Sequence, residues 1–410
     1  MHFTTILTNL DIKMRLFRAI LFPVAFVMYT SVQAQGLKDT YQDYFSVGVA
    51  VNMSNLNTVR NPKDMEIILT NYNSITAEND FKPGSVQPQE GQWNFSNADA
   101  IADFCREHGI KLRGHCLVWH SQVGRWMFQD KDADGKNIQA SKEKLYERMK
   151  THITTIVQRY SDIVYCWDVV NEAVTDDANA TDPLRPSQWK QIAGGDEFIR
   201  KAFEFAHEAD PTALLFYNDY NAAVPAKRDK IYNMVKEMKE AGVPIDGIGM
   251  QGHFSIYDPS LEDIEAAIVK YSEIVDHIQF TELDIRVNRE TGGGLNMNRQ
   301  GEEITPERQQ MFNDKYTGFF DVVRRHADVV DVVTFWNVSD RDTWLGTSNY
   351  PLLFDKDANP KETYYMVRDF KVTDKEQKKA EKEAVRASLK KAANKTADDK
   401  AALAQKNFKR

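Results

Sequence analysis

Eight short apolar runs, separated by longer segments, most constrain what this 410-residue chain can fold into. Several runs, such as Val329–Val333, are apolar without alternation, which is typical of strands covered on both faces in a parallel sheet. The runs are Tyr44–Ala50, Ser74–Asn79, Lys111–Trp119, Ile163–Asn171, Ala213–Asn218, Gly247–His253, His277–Ile285 and Val329–Asn337.

The segments between these runs carry helical periodicity. In one of them, apolar residues from Leu145 to Tyr160 recur at steps of three and four and form a single stripe. Eight strand–helix units over about 330 residues predict an α/β fold, a single (β/α)8 TIM barrel. An open doubly wound sheet is the alternative, but its first strand–helix turn commonly carries a glycine-rich phosphate loop. The turn after Ala50 has no such loop.

Proline residues that follow Asn, Asp or Thr predict four helix starts. Such a side chain accepts a hydrogen bond from a free backbone N–H, and Pro at the first helical position loses no hydrogen bond. The four pairs are Asn61-Pro62, Asp258-Pro259, Thr305-Pro306 and Asn359-Pro360.

Residues 1–34 have the pattern of a secretory signal peptide. Lys13, Arg15 and Arg18 precede an apolar run over 19–29, and small residues lead up to Ala34. Residues 1–13 look like an extension before the true start. The run is short for a transmembrane helix, which needs about 20 apolar residues. We therefore expect cleavage, export to the periplasm or the medium, and no membrane anchor on the mature protein.

The chain divides into residues 35–370, which form the predicted catalytic domain, and a charged tail over 371–410. The tail holds 13 Lys and Arg against six Asp and Glu and has one aromatic residue, so we expect a charged helix or a disordered extension. Because the whole chain has a net charge of −8, the domain itself is strongly acidic. An acidic body repels phosphate backbones, which excludes nucleic acid as a partner.

Cysteine and histidine spacing indicates neither a disulfide framework nor a metal site. The chain has three cysteines, and none belongs to a Cys/His set with metal-ligand spacing. We expect no metal, no organic cofactor and a monomer.

Polar and aromatic residues cluster where the runs end, and in a TIM barrel the chemistry lies at the C-terminal ends of the strands. Hydrogen-bonding groups mixed with flat apolar faces suit a carbohydrate, which presents hydroxyls on its edges and C–H groups on its faces. The clusters are Glu78–Lys82, His115–His120, Trp167–Glu172, Asn218–Asn221, Gln251–His253, Thr281–Asp284 and Trp336–Asp340.

Two carboxylates stand out, Glu172 after the fourth run and Glu282 in the seventh. Cleavage of a glycosidic bond needs a proton donor for the leaving oxygen and either a nucleophile or an activated water. The separation of the two carboxyl groups decides between retention and inversion, and spacing in the sequence leaves that open.

Several of these motifs resemble those of glycoside hydrolase family 10, whose members are mainly endo-β-1,4-xylanases. The resemblance runs from about Lys38 to Phe370. Cys116 stands where the family usually has Thr, and Asn337 where Gly is usual. The matching motifs are Glu78–Lys82, Arg113–His115, Leu117–Gln122, Trp167–Glu172, Gln251–His253 and Thr281–Asp284.

The resemblance implies retaining hydrolysis of xylan and xylo-oligosaccharides, with Glu172 as the general acid/base and Glu282 as the nucleophile. It implies that Asn171 bonds the 2-hydroxyl of the sugar, and that His253 and Asp284 hold Glu282. The residues implied to line the non-reducing-side subsites are Glu78, Asn79, Lys82, His115, Trp119 and Gln122. Trp336 and Trp344 are implied to wall the cleavage subsite, and Tyr220 and Asn221 to lie toward the leaving group. Gln251 is implied to bind the substrate or to support the site.

Two alternatives stay open at this stage. One is another retaining β-1,4-glycanase of the same clan, such as a cellulase-like enzyme. The other is a glycan-binding barrel without catalysis, although such a protein would be expected to have lost one of the two glutamates.

Overall fold

The computed structural model describes residues 35–288 and 304–371 of the chain. The signal peptide predicted over 1–34 and the tail beyond residue 371 lie outside these residues, so both stay predictions. Within the described ranges, no helix has the length and apolar character needed to cross a membrane.

Eight parallel strands close into a barrel, which confirms the predicted (β/α)8 fold. Each strand pairs with the next, and the last returns to the first, where Val332 lies opposite Ser46. The strands are β1 (Ser46–Val51), β2 (Ser74–Ala77), β3 (Lys111–Trp119), β4 (Val164–Asn171), β5 (Leu214–Asp219), β6 (Gly247–Met250), β7 (His277–Arg286) and β8 (Val330–Phe335).

Helices separate the strands and cover the outside of the barrel. Their bounds are α1 (Leu37–Thr40), α2 (Pro62–Asn71), α3 (Pro83–Val86), α4 (Ser96–His108), α5 (Lys142–Arg159), α6 (Gln188–Ala193), α7 (Glu197–Ala209), α8 (Pro225–Glu240), α9 (Leu261–Tyr271), α10 (Pro306–Arg325) and α11 (Glu362–Arg368). Short 3-10 turns span Arg125–Met127 and Thr347–Asn349, and a two-stranded hairpin joins Gln129–Lys131 to Asn137–Gln139.

Seven of the eight predicted runs agree with the strands to within two residues, and the run over Gly247–His253 was predicted too long. β6 ends at Met250, and His253–Ser255 forms a separate short strand beside β7. Gly252 separates the two with a φ of +87°, a left-handed conformation that glycine adopts without steric cost. This turn places His253 next to β7.

Two of the four predicted helix starts are confirmed. α10 begins at Pro306, where the Thr305 side chain accepts from the backbone N–H of Arg308. α2 begins at Pro62 as predicted, but the Asn61 side chain makes no capping hydrogen bond. The other two were wrong. α9 begins after Ser260, whose hydroxyl caps the helix.

The fourth predicted start fails because Asn359 is engaged elsewhere. Its side-chain oxygen, the group that would cap a helix, accepts from Lys63 Nζ at 3.0 Å. Its backbone and side-chain N–H groups both donate to the carboxylate of Asp355, which closes a turn ahead of α11. The helix then begins at Glu362, three residues after Asn359.

An aromatic cluster packs at the start of β1, at the N-terminal end of the barrel. The ring of Tyr41 stacks on Phe45 and Phe370, with centroids 5.0 and 5.2 Å apart. Its hydroxyl donates to the carbonyl of Val367 at 2.6 Å, which ties the chain before β1 to α11.

We expect Gly114→Ala to destabilise the barrel by about 1–3 kcal/mol, the range found for overpacked cores. Gly114 on β3 lies opposite Trp167 on β4, and a Cβ there would come within 2.1 Å of the fully buried indole. Urea denaturation measures the loss, and an unchanged midpoint would contradict this packing.

Candidate active site

The two predicted catalytic carboxylates lie at the C-terminal end of the barrel, at β4 and β7, with β5 and β6 between them in the sheet. Glu172 directly follows β4 and is half-buried, whereas Glu282 lies within β7 and is only 4% exposed. The strand next to each fixes its backbone. Glu172 N–H donates to the carbonyl of Asn218 at 2.9 Å, and Glu282 N–H donates to that of Gln251 at 2.7 Å.

Both carboxyl oxygens of Glu172 accept hydrogen bonds. Trp119 Nε1 donates to Oε2 at 2.9 Å, and Gln251 Nε2 donates to Oε1 at 2.9 Å. The side-chain amide of Asn171 lies 3.3 Å from Oε1. Three predicted site residues therefore orient this side chain.

Glu282 is held by an amide on one oxygen and an imidazole on the other. Asn218 Nδ2 donates to Oε1 at 2.9 Å, and His253 Nε2 lies 3.1 Å from Oε2. The Thr281 hydroxyl donates to Asn218 Oδ1 and so fixes which way this amide points. Asn218 Nδ2 also lies 3.0 Å from the side-chain amide of Asn171, which links the surroundings of the two carboxylates.

The electrostatics keep Glu282 ionised. Burial raises the pKa of Glu282, but the hydrogen bond from His253 and the positive charges of His115, His253 and Arg113 outweigh burial and lower that pKa to about 2. Burial lowers the pKa of His253, but the charge of Asp284 and hydrogen bonds to Asp284 and Glu282 raise it to about 10. His253 is thus a cation between two carboxylates, with Nδ1 3.0 Å from Asp284 Oδ2.

Behind Glu282, a second histidine is held by a fully buried ion pair. His115 Nδ1 lies 2.8 Å from Asp168 Oδ2 and 4.0 Å from Glu282 Oε1. Asp168 also pairs with Arg113, and neither side chain reaches solvent. Arg113 and Asp168 lie within two of the matching sequence motifs, but the sequence alone predicted no role for either residue.

Two tryptophans line the same site. Trp336 is edge-on to His115 and His253, with centroids 5.5 and 6.3 Å apart. Trp344 is edge-on to His253 at 4.9 Å and donates its indole N–H to Asp284 at 2.8 Å. Both predicted aromatic residues therefore pack on the histidine that holds Glu282.

A polar cluster extends from the site over the ends of β2 and β3. Asn79 Oδ1 accepts from Lys82 at 3.0 Å and from Gln122 at 3.2 Å. The ammonium of Lys82 lies 5.0 Å from the centre of the Trp119 ring, which joins the cluster to Glu172. Glu78 lies beside it and accepts from Asn52 Nδ2 at 3.2 Å.

Tyr220 and Asn221 follow β5 and form a separate group. Both donate to the carboxylate of Asp176, which lies in the loop after Glu172. The two side chains therefore contact a neighbouring loop rather than either catalytic candidate.

Sequence reasoning missed part of this arrangement. Asn218 carried a signal, since it ends the fifth apolar run among other polar residues. Arg185 donates to the Glu172 carbonyl, and Lys227 pairs with Asp176 and Asp219. Neither carried a signal, because both lie outside the strand-end clusters.

The three cysteines are buried side chains and do not form part of a metal site among the described residues. Cys116, between His115 and Leu117 on β3, is fully buried, and all three cysteines are free thiols. No group of three or more His, Cys, Asp or Glu side chains within residues 35–288 and 304–371 could hold a metal ion. The expected independence from cofactors remains a prediction.

The family model of glycosyl hydrolase family 10 matches residues 36–370. An endo-1,4-β-xylanase/feruloyl esterase of Xylanibacter ruminicola is 52% identical over 346 residues, which cover 82% of this chain and 47% of that protein. Endo-1,4-β-xylanase B of Paenibacillus barcinonensis is 40% identical over 343 residues, covering 82% and 98%. The chain thus spans about half of the first relative and nearly all of the second.

Solved structures match over the same region. A psychrophilic glycoside hydrolase family 10 endo-β-1,4-xylanase is 54% identical, with a TM-score of 0.76, over 82% of this chain and all of that one. A variant protein in complex with xylotriose is 38% identical, with a TM-score of 0.75, over 82% and 99%.

We expect His253→Asn to cost about 3 kcal/mol or more of unfolding free energy near pH 5.5, as for other broken buried ion pairs. The unfolded pKa of His is about 6.5, so with a folded pKa of about 10 its contribution is complete below pH 6.5 and lost as the pH rises through 10. The contribution of Glu282 is present above its unfolded pKa of about 4.3 and is lost as the pH falls toward 2.

The loss of unfolding free energy in His253→Asn should therefore be largest between about pH 4.3 and pH 6.5, and it should shrink as the pH rises toward 10. Urea denaturation at pH 5.5, 8 and 10 measures it. His277→Asn is the matched control, because it removes a partly exposed histidine–carboxylate pair that is worth under about 1 kcal/mol. An equal loss at all three pH values would contradict a buried cation at His253.

Proposed function

This chain belongs to glycosyl hydrolase family 10, and we propose that it is an exported endo-1,4-β-xylanase that hydrolyses internal β-1,4-xylosidic bonds with retention of configuration. One observation carries the proposal. A buried, ionised Glu282 and a half-buried Glu172 lie in one hydrogen-bonded site, in which Asn218 contacts both Glu282 and Asn171. This site supplies a nucleophile and a proton donor. The relatives that act on xylan support the substrate class.

In the first step, Glu282 attacks the anomeric carbon of the sugar at the cleavage point. The bond from that carbon to the glycosidic oxygen breaks, and Glu172 transfers its proton to the leaving oxygen. A nucleophile must be unprotonated, and the cation at His253 helps to keep Glu282 in that form from its own pKa of about 2 up to the pKa of His253 at about 10.

In the second step, water attacks the same carbon and displaces Glu282. Glu172 takes the proton of that water and returns to its starting state. Two inversions at one carbon give net retention. The esterified Glu282 has lost its charge during this step, which makes the neighbourhood of Glu172 less negative.

The remaining site residues bind the chain on either side of the cleavage point. Asn171 bonds the 2-hydroxyl, and this bond strengthens as positive charge develops on the ring. Trp336 and Trp344 wall the cleavage subsite and crowd a C6 hydroxymethyl group, which favours xylose over glucose. The polar cluster around Lys82 binds toward the non-reducing end, and Tyr220 with Asn221 toward the leaving group.

Product analysis on xylan and carboxymethylcellulose tests the substrate class. Release of xylo-oligosaccharides from xylan, with little action on carboxymethylcellulose, is the expected result. Comparable rates on both polymers would favour a cellulase-like glycanase, and binding to xylan without hydrolysis would favour a glycan-binding barrel.

We expect Glu282→Ala to abolish xylan hydrolysis. With an aryl xylobioside, added azide should occupy the space of the missing carboxylate, attack once and yield an azide product of inverted configuration. Proton NMR of the product assigns the configuration.

Glu208→Ala is the control, because Glu208 pairs with Lys150 on the surface and should keep wild-type activity when truncated. Near-normal turnover of Glu282→Ala on xylan, or an azide product of retained configuration, would remove Glu282 from the role of nucleophile.

We expect Glu172→Ala to slow the cleavage of xylan by about 100- to 10,000-fold, the usual contribution of general acid catalysis. Aryl xylobiosides with acidic phenols should be cleaved much faster than xylan, since such phenols leave without a proton. Hydrolysis of the intermediate then becomes slow, and stopped-flow absorbance should show a burst of phenol. Equal losses on both substrates, with no burst, would reassign the acid/base role.

A further inference from the structure

The backbone of Glu172 adopts a conformation that a glutamate does not favour. Its φ is +57°, in the left-handed region, which costs a residue with a Cβ on the order of 1 kcal/mol. Such a conformation persists only where the surroundings fix it. The loop that follows, over 173–187, lies beside the cleavage site, so whatever fixes its first residues also fixes the position of the Glu172 carboxyl.

A buried tyrosine holds the two residues that follow Glu172. The hydroxyl of Tyr217 on β5 accepts from the backbone N–H groups of Ala173 and Val174, both at 3.0 Å. The same hydroxyl donates to the carboxylate of Asp219. One donated and two accepted bonds use the full capacity of a hydroxyl, and the side chain does not reach solvent.

An arginine holds the other side of the same backbone. The loop folds back through a bridge between Val174 and Leu184, and Arg185 N–H donates to the carbonyl of Ala173 at 2.8 Å. This brings the guanidinium to Glu172, where Nε donates to the main-chain carbonyl at 3.1 Å. Its Nη2 donates to the hydroxyl of Tyr220.

These two contacts belong to one closed circuit of side chains. Lys227 is 2% exposed and pairs with Asp219 at 2.8 Å and with Asp176 at 3.0 Å. Asp176 in turn accepts from the Tyr220 hydroxyl, which Arg185 contacts. We call this circuit the β4-loop clamp, and its members are Tyr217, Asp219, Lys227, Asp176, Tyr220 and Arg185.

We propose that Tyr217 and Arg185 are positioning residues, which hold the strained backbone of Glu172 so that its carboxyl meets the leaving oxygen. The proposal rests on the acid/base role proposed for Glu172. Tyr217 is buried and bonds only to the loop and to Asp219, so its loss should impair proton transfer rather than sugar binding. A displacement of about 1 Å at a reacting group costs on the order of 100-fold in rate.

Tyr217→Phe tests the proposal, because it removes one oxygen and keeps the ring. The probes are phenyl xylobioside, whose leaving group needs a proton, and 2,4-dinitrophenyl xylobioside, whose leaving group does not. The kcat/KM of both reports the first chemical step. We expect a fall of about 10- to 100-fold for the phenyl substrate, and a value near wild type for the dinitrophenyl substrate.

Tyr41→Phe is the matched control. Tyr41 is equally buried and also loses a hydrogen bond to backbone, but it lies at the opposite end of the barrel. Both kcat/KM values should stay at the wild-type level. A general loss of stability would affect Tyr41→Phe and Tyr217→Phe alike, and would not depend on the leaving group.

Arg185→Lys is a second test variant, and Arg185 is more exposed than Tyr217. If Tyr217→Phe does not fold, the kcat/KM values of Arg185→Lys test the positioning proposal. It keeps the positive charge but loses the planar fork that reaches Glu172 and Tyr220 together. We expect the same dependence on the leaving group. A loss that is equal for both substrates in the folded clamp variants would overturn the proposal.

Glu172→Ala, measured in parallel, separates the two hypotheses. If it shows the dependence on the leaving group and the clamp variants do not, the positioning role is wrong and the acid/base role stands. If Glu172→Ala itself loses activity equally on both substrates, the acid/base role is wrong and the clamp has no such group to position.

Discussion

The pairing of β8 with β1 is the constraint on which the rest of the structure depends. It closes the sheet, so that no strand among the eight has a free edge, and it fixes the register in which all the C-terminal strand ends meet. Glu172 after β4 and Glu282 in β7 come together only because the sheet curves back on itself. A flat sheet with the same strands would hold these carboxylates far apart.

The closed barrel also buries charged groups, and burying a charge costs free energy. Charged groups buried between strands are stable only when each has a partner. Here basic side chains alternate with carboxylates, so the loss of a member leaves a neighbouring buried group without its partner, and the same alternation helps to keep the nucleophile ionised. The alternating groups are Arg113, Asp168, His115, Glu282, His253 and Asp284.

Local sequence predicted helices and their starts correctly where residues close together in the chain determine them. The stripe from Leu145 to Tyr160 became α5, and Pro306 after a Thr cap began α10. It failed where a contact from another residue competes. Asn359 has the side-chain oxygen of a helix cap, but this oxygen accepts from Lys63 and the N–H groups of Asn359 donate to Asp355. The run through Gly252 looked like one strand, although its backbone turns there.

The sequence by itself determined the eight barrel strands, the barrel class and the place of Glu172 and Glu282 at strand ends, because burial patterns and strand-end motifs recur along the chain. Tertiary structure alone decided what surrounds those carboxylates. Asn218 reaches Glu282 across 64 residues, and Lys227 reaches Asp176 across 51. Such contacts depend on strand register and on how loops fold back, and neither leaves a period or a spacing in the sequence. Even the ionised state of Glu282 depends on charges that only the closed barrel brings together.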